Sequence, residues 1–246
     1  HNLMATASRN LGLELSHADL ANLFNQLSQS YRRKKTGFLH QLETAMDRSV
    51  ITDAAKDQIK LYCVNLAEQV TGLRAQALEL FQEAQERCSN ADSYGKLRIK
   101  DTADFPRLYE LLGGLVFAWK DFQKQLTALN NAFSSLNSKQ VPNFDALSET
   151  LASYRLRAAE TEMGLLSLAN PDLENHALWI ENSQRVDSKN PGSTLCYAPV
   201  DVSQQLNQML YSTVPSIIFT SATLALRGSF KYFFGQSGLS LVDPEK

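Results

Sequence analysis

The densest set of residues able to do chemistry is Tyr31-Arg32-Arg33-Lys34-Lys35, the concentrated basic run of the chain. Four adjacent cations can neutralise phosphates and give salt-dependent binding, and a neighbouring tyrosine can stack on a base. A solvated helix end, with cations complementing the C-terminal dipole, explains the same run without a ligand. A second set lies near the other end. Ser221-Ala222-Thr223 directly follows the apolar run Ile217-Ile218-Phe219-Thr220. Its hydroxyls both donate and accept hydrogen bonds, yet a plain turn after a buried strand reads the same way.

The remaining candidates are weaker. His17, His40 and His176 have no carboxylate or cysteine at ligand spacing, so surface or capping roles are expected. Glu160 and Glu162 are two apart on a helical pattern and point to different faces, which excludes a catalytic pair. Cys63, Cys88 and Cys196 are far apart and odd in number, with no C-x-x-C spacing. That argues against a disulfide framework or a zinc or iron–sulfur site from this chain, and for small buried hydrophobes. No G-x-x-x-x-G-K-[ST] phosphate loop occurs.

Composition sets wide bounds. The 246 residues suffice for one large domain or two small ones, and 43% apolar content supports a real core. A net charge of -2 gives no global drive toward nucleic acid or an anionic membrane. Any nucleic-acid contact must come from a local patch. No apolar run approaches the ~18 residues of a membrane span, and the N-terminus lacks a signal-peptide pattern. The expectation is a cytoplasmic protein with no membrane partner.

The elements that must position these residues are mainly helices. Ser16-x-x-Asp19 resembles a capping box ahead of Leu20, Leu23, Phe24, Leu27 and Tyr31. Phe38, Leu39, Leu42 and Met46 continue after Gly37, and Thr52-Asp53 can cap a long segment running to Cys88. Phe105, Leu108, Leu112, Leu115, Trp119, Phe122, Leu126, Leu129, Phe133 and Leu136 repeat at three and four. Phe144, Leu147, Leu151, Tyr154, Ala158, Thr161, Leu165 and Leu168 keep the same rhythm. Such stripes predict an antiparallel bundle of four or five long helices. Residues 89–104 read as a polar loop, and Asn170-Pro171 ends the last helix. After Pro171, Ala177–Ile180 and Thr194–Tyr197 read as strands and Ser203 as a helix cap. Ser216–Thr220 reads as a strand buried on both faces, as in a parallel sheet.

The C-terminal segment also carries a family resemblance. Leu178-Trp179-Ile180-Glu181, Ala198-Pro199-Val200-Asp201-Val202-Ser203, Phe219-Thr220-Ser221-Ala222-Thr223-Leu224 and Gly228-Ser229-Phe230 occur in that order. Together they resemble the DinG branch of the XPD/DinG superfamily 2 helicases, and His1-Asn2-Leu3 is similar to the end of that family's DEAH box. The helices match only in length and position. The resemblance implies an ATP-dependent motor moving 5′→3′ on single-stranded DNA, with a helical arch inserted between DEAH box and Ser-Ala-Thr motif. It implies a partial α/β RecA-like segment at 1–13, the arch at 14–172, and a return to the first motor domain at 173–246. It also implies that Ser221 and Thr223 hydrogen-bond toward the DEAH box, His1 included, and couple nucleotide state to DNA grip.

On that reading ATP and Mg²⁺ serve the full-length parent, with single-stranded or forked DNA and a second motor domain as partners. The carboxylates of the DEAH box are not in this sequence, so neither ATPase activity nor bound cofactor is expected of the chain alone. It is expected to be monomeric, or dimeric through open strand edges. The alternative class is a non-catalytic helical-bundle interaction module with no nucleotide chemistry.

Overall fold

A computed structural model describes residues 2–31, 34–89, 95–182, 191–220, 224–225 and 228–241. The chain is mainly α-helical, with a small antiparallel sheet. Helix α1 (Asn2–Leu11) leads into strand β1 (Leu13–Ser16) and helix α2 (His17–Leu27). The expected capping box is formed: Ser16 Oγ accepts from Asp19 N, and the Asp19 carboxylate accepts from Ser16 N at 3.1 Å. This satisfies amides left without a partner in the helix's first turn. Strands β2 (Gln29–Tyr31) and β3 (Lys34–Thr36) then form a hairpin before helix α3 (Phe38–Arg48).

Three long helices follow: α4 (Asp53–Ser89), α5 (Pro106–Ser134) and α6 (Phe144–Ala169). At 1.5 Å per residue α4 runs roughly 55 Å. Trp119 Nε1 on α5 donates to the Ala158 carbonyl of α6 at 2.9 Å, while Phe133 stacks on Phe144 at 4.9 Å. These paired positions rise on one helix as they fall on the other, so α5 and α6 are antiparallel. Arg107 pairs with Glu79, and Val50 N donates to Gln140 O, giving α4 and α5 the same relation. The stripes anticipated from spacing are buried between these helices, and Leu115, Trp119, Phe122, Leu126, Leu129 and Phe133 have no exposed surface. One chain buries its own seams.

The sheet caps one end of this bundle. Strands β4 (Lys96–Ile99), β5 (His176–Asn182) and β6 (Ser193–Pro199) join β1 in the order β1-β6-β5-β4, every pair antiparallel. Leu15, Leu195, Ile180 and Leu97 form one row across it, facing the core with α4 beneath. Ser193 Oγ donates to Phe81 O at 2.7 Å, and Cys88 Sγ to Gly95 O at 3.3 Å, stitching sheet to helix.

Four local expectations are corrected. The second helix ends at Leu27, short of Tyr31. Its apolar stripe stops there, and Gly37, at φ 100°, returns the chain against the Leu27 carbonyl, where a Cβ would lie 2.7 Å away. Lys96–Ile99, expected within a polar loop, form a strand, because Leu97 and Ile99 alternate with cations. Asp101 caps the 3-10 turn that follows (Thr102–Asp104), accepting from Ala103 N at 2.9 Å.

The third correction concerns Ser216–Thr220. This segment is extended but pairs with no strand among the described residues. Ile217 and Phe219 are half-buried and Ile218 is 86% exposed, so only one face is covered. Beside it, helix α7 (Ser203–Leu206) continues as a π turn (Asn207–Tyr211), and helix α8 (Lys231–Ser237) ends at a short 3-10 turn (Leu239–Leu241). Ser203 is the first residue of α7 rather than its cap; Val202 holds the cap position, and Asp201 Oδ1 before it accepts from Ser203 N at 2.8 Å. Among the described residues no helix is long and apolar enough to cross a membrane.

Candidate functional site

The two ends of the chain meet. Helix α1 lies along β6 and touches α8. Ser8 Oγ donates to the Pro199 carbonyl at 2.9 Å. Gly12 sits so close that a Cβ there would come within 2.8 Å of the Tyr197 oxygen and 2.9 Å of the Ala198 Cβ. The α8 side is closed by Gly238, at φ 75°, where a Cβ would lie 2.1 Å from the Ser203 carbonyl oxygen. Only glycine permits both that backbone conformation and that approach.

Phe219 anchors the extended segment leading to the Ser-Ala-Thr string. Its ring meets Phe233 edge-on at 5.3 Å and Tyr211 at 6.2 Å, and the Tyr211 hydroxyl donates to Ser237 O at 2.7 Å. Burial raises the Tyr211 pKa above its ordinary value, offset in part by that hydrogen bond. The phenol therefore acts as a fixed neutral donor. A hollow of about 350 Å³ opens alongside, between Asn207, Val214, Ile217 and Leu239.

His1, Ser221, Ala222 and Thr223 lie outside the described residues. What is brought together is their surroundings: α1, which follows His1, and α8, which follows Thr223, are neighbours. Arg32 and Arg33 also lie outside the described residues. The backbone puts Tyr31 opposite Lys34, and Ser30 opposite Lys35, at the far end of the β2–β3 hairpin. Tyr31, Lys34 and Lys35 therefore lie on strands rather than at a helix end. The hairpin's base is fixed by Arg74, which donates to Asn25 Oδ1 at 2.7 Å and to Ser28 O at 3.3 Å, with its guanidinium 5.8 Å from the Phe24 ring.

The histidines divide. His40 pairs with Glu43 at 3.4 Å and His176 with Asp172 at 3.8 Å, so both have the carboxylate neighbour three or four residues away that the sequence reading denied them. His176 also stacks on Tyr197 at 4.5 Å. His17 is neither surface nor cap. It is buried edge-on to Phe81, and desolvation, followed by the Arg74 charge, lowers its pKa. None of the three cysteines forms a disulfide, and all are buried. Burial, with a smaller contribution from Glu43, pushes the Cys63 thiol up to about 12, which makes it unreactive. Among the described residues no three His, Cys, Asp or Glu side chains converge as a metal site.

A second polar surface went unread in the sequence. On the outer face of the sheet Arg98 stands opposite Trp179, and Lys96 opposite Glu181. The signal was present as the period-two alternation Lys96-Leu97-Arg98-Ile99-Lys100. No protein-family model matches the chain, and no curated protein matches it.

Proposed function

We propose that this chain is part of a DinG-like, ATP-dependent DNA helicase, comprising an arch-like helical insertion and part of a RecA-like first motor domain. The observation carrying this reading is the ordered set of strings from Trp179-Ile180-Glu181 to Gly228-Ser229-Phe230, with His1-Asn2-Leu3 ahead of a long helical insertion. Two structural features support it. The segments after His1 and after Thr223 pack side by side although a bundle separates them in sequence. The extended run before Ser221 presents Ile218 to solvent with no strand beside it among the described residues, and Phe230, Tyr232 and Phe234 are exposed nearby. An apolar segment of this kind suits the edge of a larger sheet.

In this reading ATP and Mg²⁺ bind the parent motor, and catalysis is positioning and charge stabilisation by residues outside this sequence. Ser221 and Thr223 re-pair their hydroxyl hydrogen bonds when the γ-phosphate leaves and pass that change to DNA grip. The bundle guides single-stranded or forked DNA as a rigid lever.

The test has two parts. Codons for Asp-Glu-Ala immediately before His1, with a phosphate loop further upstream, are expected in the gene; unrelated codons there would sink the reading. In the intact motor, Ser221→Ala/Thr223→Ala is expected to keep ATP hydrolysis while unwinding falls at least tenfold. Equal loss of both, or of neither, speaks against coupling through this motif.

A further inference from the structure

The outer face of β4 and β5 carries a binding surface separate from the motif residues. Leu97 and Ile99 turn toward the core, so Lys96 and Arg98 stand on the opposite face about 7 Å apart along the strand. Lys100 follows, exposed, as the next cation in the alternation. Trp179 lies directly across the ladder from Arg98 and is half-buried. Its indole is held in place, because Nε1 donates to Glu181 Oε1 at 2.8 Å. The same carboxylate oxygen receives Lys96 Nζ. One acid thus fixes the ring and neutralises one cation. Arg98 forms no hydrogen bond or ion pair among the described residues. In its cross-strand row the acid is Glu14, on β1, three strands away and roughly 14 Å off.

Space for a ligand lies beside the ring. Ala177 pairs with Ala198 in the next row of the same face, so small side chains floor the area adjoining the indole. With Ser8 of α1 and the exposed Val200, they bound an open hollow of about 480 Å³ against Trp179 and Arg98. Charged residues on an edge strand are explained by protection against strand pairing. That explanation does not account for an aromatic ring locked by its own hydrogen bond above a floor of alanines.

We propose that this face binds single-stranded nucleic acid, one base stacked on Trp179 and the adjacent phosphates on Arg98 and Lys100. A flat apolar ring beside an unpaired guanidinium matches a nucleotide, and cations spaced along an extended strand match a chain of phosphates. The choice of DNA over other polyanions rests on the motor reading above.

The chain has two tryptophans, and Trp119 is fully buried, so fluorescence quenching by ligand reports Trp179. A thymidine oligonucleotide titrated into the chain is expected to quench Trp179, with affinity falling as salt rises. Arg98→Gln is expected to lower the slope of log affinity against log salt by about 0.7, one single-strand phosphate contact. With a dye-labelled oligonucleotide, Trp179→Ala is expected to weaken binding at least about fivefold, the low end of one stacked base. Trp179→Phe restores most of it. Unchanged circular dichroism confirms that each variant folds.

Absence of quenching, an unchanged salt slope in Arg98→Gln, or equal quenching by an acidic peptide would overturn the proposal. The measurement needs no ATP. A failure here with Ser221 and Thr223 coupling intact retires this face alone, and success here with unrelated codons before His1 retires the motor alone.

Discussion

The helical bundle and the C-terminal segment use apolar residues in opposite ways. In α4, α5 and α6 each stripe meets another stripe of the same chain, and Trp119 and Leu126 are wholly enclosed. In residues 200–241 comparable side chains face outward: Val200, Met209, Ile218 and Tyr232 are each at least 65% exposed. The seams between the bundle helices are closed, although Leu61, Phe117, Leu156 and Met163 on their outer faces are each at least 61% exposed. The C-terminal segment is held by a few local contacts, chiefly the rings of Tyr211, Phe219 and Phe233 and the close approach at Gly238. Local packing density, more than helix content, determines where the molecule opens first.

Four substitutions or conditions break or sharpen this contrast. The largest effect is expected from Trp119→Ala, which empties the centre of the bundle and leaves the Ala158 carbonyl without its donor. Urea unfolding should show a loss of about 3–5 kcal/mol; under ~1 kcal/mol would mean the α5–α6 seam is not the main store of stability. Gly238→Ala forces a Cβ against the Ser203 carbonyl and strains the αL cap, a cost of about 1–3 kcal/mol. Hydrogen exchange should rise in α7 and α8 while α4–α6 stay protected. Uniform deprotection would show that the two regions unfold as one.

A smaller effect comes from pH. The folded state lowers the His17 pKa, so the unfolded chain binds the proton more tightly. Stability is then full above the ordinary value of 6.5 and declines as pH falls below it, until the folded-state pKa is reached. Replacing His17 by Gln should flatten the stability profile of the bundle between pH 6.5 and more acidic values; an unaltered slope would assign it to other groups. The smallest effect is expected from Ile218→Ser, within about 0.5 kcal/mol for this chain. The same change in an intact motor, where a flanking strand would bury Ile218, should cost about 2–3 kcal/mol. Equal small effects in both proteins would count against a covering strand.

Much of the fold was legible because helical stripes are local statements. Leu108 through Phe133 announces its buried face by spacing alone, and Ser16-x-x-Asp19 announces its helix start. The β2–β3 hairpin was not legible. Tyr31 falls in phase with Leu27, and only the return of the chain at Gly37 breaks the helix there. Strand β4 was hidden by its polar flanks, although Leu97 and Ile99 carried the alternation. Of the candidate site, Trp179 and Glu181 were visible as part of a string. Their partners Lys96 and Arg98 were not, because the ladder joining them spans more than 80 residues.

By itself the sequence determined a long antiparallel helical bundle, the two strand segments now seen as β5 and β6, the burial of three cysteines and the ordered strings behind the functional reading. Periodicity and turn chemistry act over a few residues, so they can be read without knowing what lies opposite. Tertiary structure alone decided that β1 and β4 complete one sheet with those strands, that α1 meets α8, and that Arg98 faces Trp179. Those outcomes depend on which distant surfaces exclude water together, and no local pattern encodes that choice.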